Sequence, residues 1–264
     1  MSKQLLIKSK TPKVYKNKKL NNANFGNFNL TSYQVFLILV SKIGKVNELG
    51  KYSQSEDIGR EYTLTAKEFA DNFNIDLANS YKILKKASKM IAREAITIEK
   101  PELFETWEIP ICSMAQYNHK EGSMTVEFNQ KLMPYLIQVK EKFVLYNLRE
   151  ISNFGSFYTT RLYELIQEFK DTGWIVKSIQ QLRDIFAVGE ALKKYNDFKK
   201  KTFEHAVGEI NSQFDIDLTF KEVKEGRKVV AIHFFFKKTI VRKAVNPQTL
   251  KEVNIYVKPK RKMV

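Results

Sequence analysis

Lysines at helical spacing are the residues of this chain that are best placed to do chemistry, and that chemistry is the neutralisation of phosphate charge. In one segment the cationic residues follow each other at steps of one, three or four: Lys82, Lys85, Lys86, Lys89 and Arg93. Such steps gather side chains on one face of an α-helix, opposite an apolar face that runs from Ile83 to Ile91. No acidic residue lies between Leu77 and Arg93 to form the i,i+4 ion pairs of an ordinary solvated helix. The segment is therefore predicted to be a helix with one packed face and one cationic face.

A second segment carries a similar set near the start of a helix that we predict over Leu192 to Gln213. Its candidate DNA-binding residues are Lys193, Lys194, Asn196, Lys199, Lys200 and Lys201. The apolar stripe expected to pack inward comprises Tyr195, Phe198, Phe203, Ala206 and Ile210. Exposed lysines at a helix start oppose the macrodipole at a cost of roughly 0.3–1 kcal/mol each, so stability does not explain their placement. Helix-turn-helix proteins present this end of the helix to base edges.

A solvated face is the alternative interpretation of each lysine-rich helix, because such surfaces commonly face water without binding anything. The recurrence of the basic stripe at equivalent places in two segments favours a binding role. Arg227 and Lys228, beside a predicted turn at Glu225 and Gly226, could touch phosphate or a minor groove, or could serve solubility alone. They are secondary candidates for DNA binding.

Residues suited to catalysis are sparse in the sequence. His119, His205 and His233 stand far apart and form neither an HExxH pair nor a His-x-His cluster. Cys112 is the only cysteine, which excludes an internal disulfide and a zinc site built on paired cysteines. Neither the GxxxxGK[ST] motif of nucleotide-binding loops nor the GxSxG motif of hydrolases occurs. The sequence therefore predicts a binding protein rather than an enzyme, with no catalytic residue, metal ion or cofactor.

The charge of the whole chain indicates a polyanionic partner. Its 264 residues include 45 Lys+Arg and 29 Asp+Glu, a formal net charge of +16 that favours association with nucleic acid. Hydrophobic residues make up 43%, enough for the core of one large or two modest domains. The longest apolar run, Val35 to Val40, is far shorter than the roughly 20 residues that span a bilayer, and the lysine-rich start has no signal-like apolar core. We therefore expect a cytoplasmic protein without a membrane partner.

Helix and strand patterns alternate in the same order twice. This order predicts an α+β fold of two tandem winged-helix domains, each with a three-helix core and a β-hairpin wing. Residues 25–146 are predicted to form the first domain and residues 147–238 the second. The lysine-rich ends are predicted to be a flexible basic N-terminal arm (residues 1–24) and a basic C-terminal tail (residues 239–264).

Three predicted helix starts have the spacing of a capping box, in which a hydroxyl residue is followed three positions later by Glu or Gln. They are Thr31 with Gln34, Thr65 with Glu68, and Ser178 with Gln181. The last two pairs hold equivalent positions in the two copies, each at the start of a short second helix.

Five runs of sequence follow the order found in one family of DNA-binding proteins. RLYELIQEF, IQQLRDIF, YNDFKKKTFEHAVGEIN and KEGRKVVAIHFFF look like that family's second winged-helix domain, and LTAKEFADNFNIDLANSYKILKKA, followed by strands, is similar to its first. The chain thus resembles the initiator Rep proteins of iteron-bearing plasmids. The resemblance covers roughly Leu30 to Phe236 and is most specific from Tyr195 to Asn211.

The resemblance implies an initiator that binds directly repeated origin DNA as a monomer, represses its own promoter as a dimer, and recruits the host initiator and replicative helicase to melted DNA. It also implies that the DNA-reading helix lies over Lys194 to Ile210. The family commonly has arginines where this chain has lysines, and lysine lacks the planar fork that grips guanine bidentately. Discrimination is therefore expected to use Asn196, single lysine contacts and the deformability of A·T-rich DNA. Thr202 stands where an apolar residue is expected.

The hypothesis from the sequence is a plasmid replication initiator whose winged helices occupy successive major grooves. A tandem winged-helix transcriptional repressor would share every binding feature named so far. A nuclease or relaxase that acts on the same DNA is a third possibility. Replication of a plasmid that carries the flanking repeats separates the first function from the second, and nicking of supercoiled DNA separates the third.

Overall fold

The structure of the chain is a computed structural model that describes residues 12–43, 59–137, 143–189, 192–237, 240–245 and 252–257. The first part contains β1 (Lys13–Asn17), α1 (Lys18–Asn21), α2 (Leu30–Ser41), β2 (Glu61–Thr65), α3 (Ala66–Phe73), α4 (Leu77–Ile91), β3 (Ala95–Lys100), β4 (Glu105–Pro110), β5 (Cys112–Asn118), β6 (Ser123–Phe128), α5 (Met133–Ile137), β7 (Phe143–Asn147) and α6 (Leu148–Ile151). The second part contains α7 (Phe157–Glu168), β8 (Trp174–Ser178), α8 (Ile179–Ile185), α9 (Tyr195–Lys199), a π-helical turn (Lys200–Glu204), α10 (His205–Gln213), β9 (Thr219–Glu225), β10 (Lys228–Phe235), β11 (Ile240–Val245) and β12 (Glu252–Val257).

The first winged helix packs α2, α3 and α4 against an antiparallel sheet with the order β2–β6–β5. The hydroxyl of Thr65 accepts a hydrogen bond from the amide of Glu68 at 3.1 Å and caps α3, which is one half of the predicted capping box. The Glu68 carboxylate instead accepts a hydrogen bond from Lys42 at 2.7 Å. Asn74 ends α3 in the left-handed conformation (φ 49°), which Asn tolerates better than most residues. This short turn leads into α4, which packs against α2, α3, β5 and β6.

The start of α2 differs from the prediction. Asn29 is the N-cap and accepts a hydrogen bond from the amide of Ser32 at 2.9 Å. Thr31 instead donates its hydroxyl hydrogen to the Asn29 side chain at 2.9 Å, and Gln34 is buried. The capping box predicted at Thr31 is therefore wrong, because Asn is a stronger N-cap than Thr and stands two residues upstream.

A two-stranded ribbon of β3 and β4 is inserted between α4 and the wing of the first domain. The sequence predicted a single β-hairpin wing after the third helix, and the structure has this ribbon in addition to the β5–β6 wing. Phe104 at the ribbon tip is 99% exposed. The first domain is thus a winged helix with one additional hairpin.

The second winged helix repeats the order with α7, α8 and a third helix on a sheet of order β8–β10–β9. The predicted capping box at the start of α8 is confirmed: the Gln181 amide donates to the Ser178 hydroxyl at 3.1 Å, and the Ser178 amide donates to the Gln181 side chain at 3.0 Å. The third helix is continuous over residues 195–213 but widens into the π-helical turn at its middle. We call α4 the first basic helix and residues 195–213 the second basic helix.

The N-terminal segment is part of the core, which corrects the prediction of a flexible arm over residues 1–24. From residue 12 onward, β1 pairs antiparallel with β7 and α1 follows it directly. Val14, Lys16 and Leu20 are all fully buried. The count of lysines misled the prediction, since it gave no weight to the apolar residues between them. Residues 1–11 lie outside the described residues.

The C-terminal segment also has regular structure within the region predicted to be a basic tail. Strands β11 and β12 pair antiparallel, from Ile240 opposite Val257 to Val245 opposite Glu252. Val and Ile recur in the sequence of both strands, and these residue types favour β-structure, which the lysine count behind the prediction did not weigh. The last residues, 258–264, lie outside the described part of the chain.

Helix α7 joins the two winged helices. It contacts α1, α2 and β7 of the first domain, and the π-helical turn and α10 of the second. The Phe157 ring lies 5.2 Å from that of Tyr33 in α2, and the Tyr163 ring stacks on Phe214 at 5.0 Å. One helix therefore contributes to both cores.

A fully buried charged cluster surrounds Glu164 on α7. Its carboxylate pairs with Lys16 and Arg161 and accepts hydrogen bonds from the hydroxyls of Tyr33 and Tyr146. Arg161 also donates to the carbonyls of Asn21, Ala23 and Ile185 at 2.8, 2.9 and 3.1 Å. The cluster ties β1, α2, β7 and α7 together at the junction of the two domains.

Candidate nucleic-acid interface

The first basic helix presents its cations to solvent. Four of its predicted DNA-binding residues, Lys82, Lys85, Lys86 and Lys89, are exposed on the helix, whereas Arg93 is exposed in the turn that follows the helix end at Ile91. Among the described residues, none of the five has an ion-pair partner. Leu84, Ala87 and Ile91 on the opposite face are buried against the core. The absence of acids that the sequence revealed therefore leaves a row of uncompensated positive charge, which suits a polyanion.

The second basic helix presents a similar surface near its N-terminal end. Lys193, Lys194, Asn196, Lys200 and Lys201 are exposed. The helix begins at Tyr195, later than the predicted Leu192, and Lys194 takes the N-cap position without a side-chain hydrogen bond to the helix. Lys194, Lys200 and Lys201 have no ion-pair partner within the part of the chain that the structure describes.

Lys199 differs from the other predicted contacts. Its ammonium pairs with Glu222 of β9 at 3.0 Å and lies over the Phe220 ring, with 26% of the side chain exposed. The Tyr195 hydroxyl donates to the same carboxylate at 2.8 Å, and these two hydrogen bonds lower the pKa of Glu222. Lys199 thus fastens the helix to the wing. The prediction that it faces DNA as a free cation needs this correction, since its sequence position beside Lys200 and Lys201 hid its inward direction.

Aromatic packing fixes the second basic helix on the inner face of its sheet. The Phe203 ring makes edge contacts with Phe220 at 5.2 Å and with Phe234 at 5.9 Å. Phe198 packs between Phe186 and Phe203, with ring centroids 6.3 and 5.7 Å away. The helix is therefore held rigidly enough to present its outer face in one orientation.

The wing of the second domain carries its cations at a tight turn. Gly226 has φ 59°, a left-handed conformation that glycine adopts without strain, and Arg227 and Lys228 follow it in exposed positions. They lie where the sequence placed them, and their contact with DNA stays a prediction.

Tyr81 is a surface residue of the first basic helix that the sequence analysis did not single out. Its ring is 41% exposed and lies against Gly122 in the turn of the first wing, where an added Cβ would stand 1.9 Å from a ring carbon. The Tyr117 hydroxyl donates to the Tyr81 carbonyl at 3.3 Å. Glycine at position 122 is thus required by the close approach of helix and wing, and the only signal in the sequence was the Gly itself.

The described residues also bear on metal binding and on membrane insertion. The described ranges contain no group of three or more His, Cys, Asp or Glu side chains that could hold a metal ion. No helix within them is long and apolar enough to cross a membrane.

Comparison with known proteins identifies the family. Residues 13–167 match the sequence profile of Initiator Replication protein, WH1, and residues 178–236 match that of Initiator Rep protein, WH2. The chain belongs to this initiator Rep family. The predicted fold of two tandem winged helices and the predicted resemblance are both confirmed.

Two curated proteins of Escherichia coli are similar to this initiator Rep protein. A replication initiation protein is 26% identical over 164 residues, which are 62% of this chain and 47% of the relative. An uncharacterized 27.6 kDa protein is 25% identical over 154 residues, which are 58% of this chain and 64% of the relative. The similarity thus spans about half to two thirds of the length of these relatives.

Among solved structures, the crystal structure of the Pi initiator protein in complex with iteron DNA has the same fold. It superimposes with a TM-score of 0.67 at 20% sequence identity, over 86% of this chain and 97% of the Pi chain. At this level of identity the likeness establishes the fold alone.

Proposed function

We propose that this initiator Rep protein starts plasmid replication by binding directly repeated origin DNA (iterons) through its two basic helices. The observation that carries the proposal is the repetition of an exposed cationic helix at the same place in two tandem winged helices. The cationic face is free of acids in α4, and Asp197 is the one acid between Lys193 and Lys201 in the second. Family membership and the iteron DNA bound to the Pi initiator support the choice of DNA as partner. Two successive major grooves lie roughly 34–36 Å apart, a distance that two domains of this size can span.

In this proposal the two helices divide the binding energy. Both basic helices supply phosphate contacts, which position the protein on the duplex, and the second supplies most of the base reading. The N-terminal end of the second basic helix reads bases with Asn196 and single lysine contacts, while Arg227 and Lys228 reach the backbone or a minor groove. The action is binding rather than catalysis and needs no metal or cofactor.

The later steps of initiation follow from the family resemblance. We propose that the protein, in the cytoplasm, binds the repeats as a monomer, represses its own promoter as a homodimer in equilibrium with that monomer, helps to open the origin, and recruits the host initiator and replicative helicase. A tandem winged-helix repressor without initiator activity is the alternative function. A plasmid that carries the flanking repeats and depends on this gene for its replication supports the initiator, whereas repression without such replication supports the alternative.

The first test concerns phosphate contacts by the first basic helix. Lys85→Ala with Lys89→Ala is expected to make the fall of log affinity with log salt concentration shallower, by about 0.9 in slope for each lost contact. The double variant Lys131→Ala with Arg149→Ala serves as the control, since it removes the same charge from exposed positions outside the basic helices and the wings. Equal slopes for the two double variants would place the first basic helix off the DNA.

The second test concerns the second basic helix. Lys200→Ala with Lys201→Ala is expected to weaken binding to a duplex selected by the wild-type chain from a randomised pool, while the melting temperature stays unchanged because both side chains are exposed. Unchanged affinity would refute this part of the proposal.

The third test concerns catalysis. Incubation of the purified protein with supercoiled origin DNA and divalent metal should give no nicking. Nicking would favour the nuclease or relaxase instead.

A further inference from the structure

The second basic helix holds one residue more than a regular α-helix can accommodate between its packing points. Phe198 and Ile210 are both fully buried on the same core, yet they are twelve positions apart. At 100° per residue, a regular α-helix would place them about 120° apart around the axis. The π-helical turn at Lys200–Glu204 absorbs this mismatch, because its wider turn takes more residues per revolution.

Thr202 stabilises the wide turn from inside. It is fully buried, and its hydroxyl donates to the carbonyl of Phe198 at 2.6 Å. Such a bond from Thr to the carbonyl four residues earlier accompanies local distortion of a helix. It explains why a hydroxyl residue stands at an otherwise apolar position.

The wide turn decides which lysines face outward. Lys199 turns toward Glu222 and Thr202 turns into the core, so Lys200 and Lys201 project side by side between them. Interruptions of this kind are unfavourable compared with a regular α-helix and occur frequently at functional sites. The two lysines at this turn have no ion pair among the described residues that would account for it.

We propose that the π-helical turn, held by Thr202, is a positioning element for sequence discrimination: it sets the direction of Lys200 and Lys201 relative to Asn196 on the preceding α-helical turn. The proposal rests on the proposed function, since it concerns how that same surface reads DNA. Thr202 acts through the lysines and does not itself touch DNA.

Deletion of Lys200, compared with Lys200→Ala, separates position from charge. Both variants lose one cation, but the deletion brings Phe198 and Ile210 within about 20° of the same face of a regular α-helix and so removes the need for the wide turn. The probes are the duplex that the wild-type chain enriches from a randomised pool and a shuffled duplex of the same composition. Lys200→Ala is expected to lower the ratio of the two affinities less than the deletion does, because it removes one lysine contact and leaves Lys201 and Asn196 in place. The deletion is expected to lower the ratio of the two affinities by about tenfold or more, while the melting temperature stays equal or rises.

Thr202 provides a second, independent pair of variants should the deletion fail to fold. Thr202→Val keeps the side-chain shape without the hydroxyl and is expected to lower the discrimination ratio several-fold, and Thr202→Ser is expected to retain it. Equal ratios for the deletion and Lys200→Ala, or for Thr202→Val and Thr202→Ser, would overturn this inference alone. A wild-type chain that does not prefer its selected duplex to the shuffled one would instead refute the proposed function.

Discussion

At the scale of single residues, the most consequential group is the buried cluster around Glu164. One carboxylate there compensates two cations, Lys16 and Arg161, away from water. Burial alone would raise the pKa of Glu164, but the two cations hold it below its usual value. Burial lowers the pKa of Lys16 to about 7, against the attraction of Glu164. The cluster is thus a structural junction whose charges depend on each other.

Removal of the shared carboxylate should be far more costly than removal of one cation. Glu164→Gln leaves Lys16 and Arg161 buried without a counter-charge and is expected to lower the free energy of unfolding by about 3–5 kcal/mol in urea denaturation. Lys16→Met keeps the Arg161–Glu164 pair and is expected to be close to neutral at pH 7, since apolar replacement of a buried charge is often tolerated. Similar losses for the two variants would contradict the central role of Glu164.

The pH dependence of stability should carry the signature of Lys16. Its pKa is about 7 in the folded chain against an ordinary lysine value of 10.5, so between these pH values the unfolded chain holds a proton that the folded chain has released. Stability contributed by this group therefore rises with pH from about 7 toward 10 and is constant below that window. Urea midpoints of wild type and Lys16→Met should diverge in favour of the wild type as pH rises to 9. Parallel curves would mean that Lys16 titrates normally.

This cluster could not be found in the sequence, whereas the lysine stripes could. Arg161 lies three residues from Glu164, but Lys16 and Tyr33 are far from it along the chain, and only the packing of β1 and α2 near α7 brings them to the carboxylate. The stripe on α4 needs only local periodicity, so its exposure was predictable. For Lys199 only part was predictable: local spacing placed it on the helix, but its ion-pair partner, Glu222, comes from a distant strand.

At the scale of elements, local hydrogen bonds determine where helices begin. The capping box of α8 was predictable from the sequence because its partners, Ser178 and Gln181, lie within four residues of each other. The start of α2 was misassigned because both Asn29 and Thr31 are suitable capping residues, and Asn29 is the one that caps the helix. The wide turn of the second basic helix had a signal too, since the apolar stripe takes a step of five residues from Phe198 to Phe203, which a regular α-helix does not favour.

The two helix starts make a matched pair of substitutions. Ser178→Ala is expected to lower the free energy of unfolding by about 0.5–2 kcal/mol, because the first turn of α8 loses its cap. Thr31→Ala, at a position with the same sequence signature but no capping role, is expected to change it by less than about 0.5 kcal/mol. Thermal melting of both variants checks this, and an equal shift at the two positions would contradict the caps described for α2 and α8.

At the scale of the whole molecule, α7 makes the two domains one cooperative unit. Its Phe157 packs on the first domain and its Tyr163 on the second, and the buried Glu164 follows Tyr163 directly in the chain. Loss of either core removes packing from the same helix. We therefore expect the two winged helices to unfold together, although tandem domains often unfold separately.

The two tryptophans allow this cooperativity to be measured. Trp107 lies in β4 of the first domain and Trp174 in β8 of the second. Trp174→Phe leaves a reporter on the first domain, and Trp107→Phe leaves one on the second. Urea transitions followed by fluorescence should have the same midpoint and slope in the two variants once corrected for any change in overall stability, measured by circular dichroism. Two separate midpoints within one variant would show that α7 does not couple the domains.

Because the two domains share α7, this helix also bears on the spacing between the two halves of the DNA site. If α7 fixes the separation of the two reading surfaces, the gap between their half-sites is dictated by protein geometry and not by the side chains that touch bases. An extra half-turn of duplex, about five base pairs, would then bring the second half-site to the far side of the DNA. Changes to the cationic side chains could not compensate for such an origin, and only a remodelled α7 could restore the match.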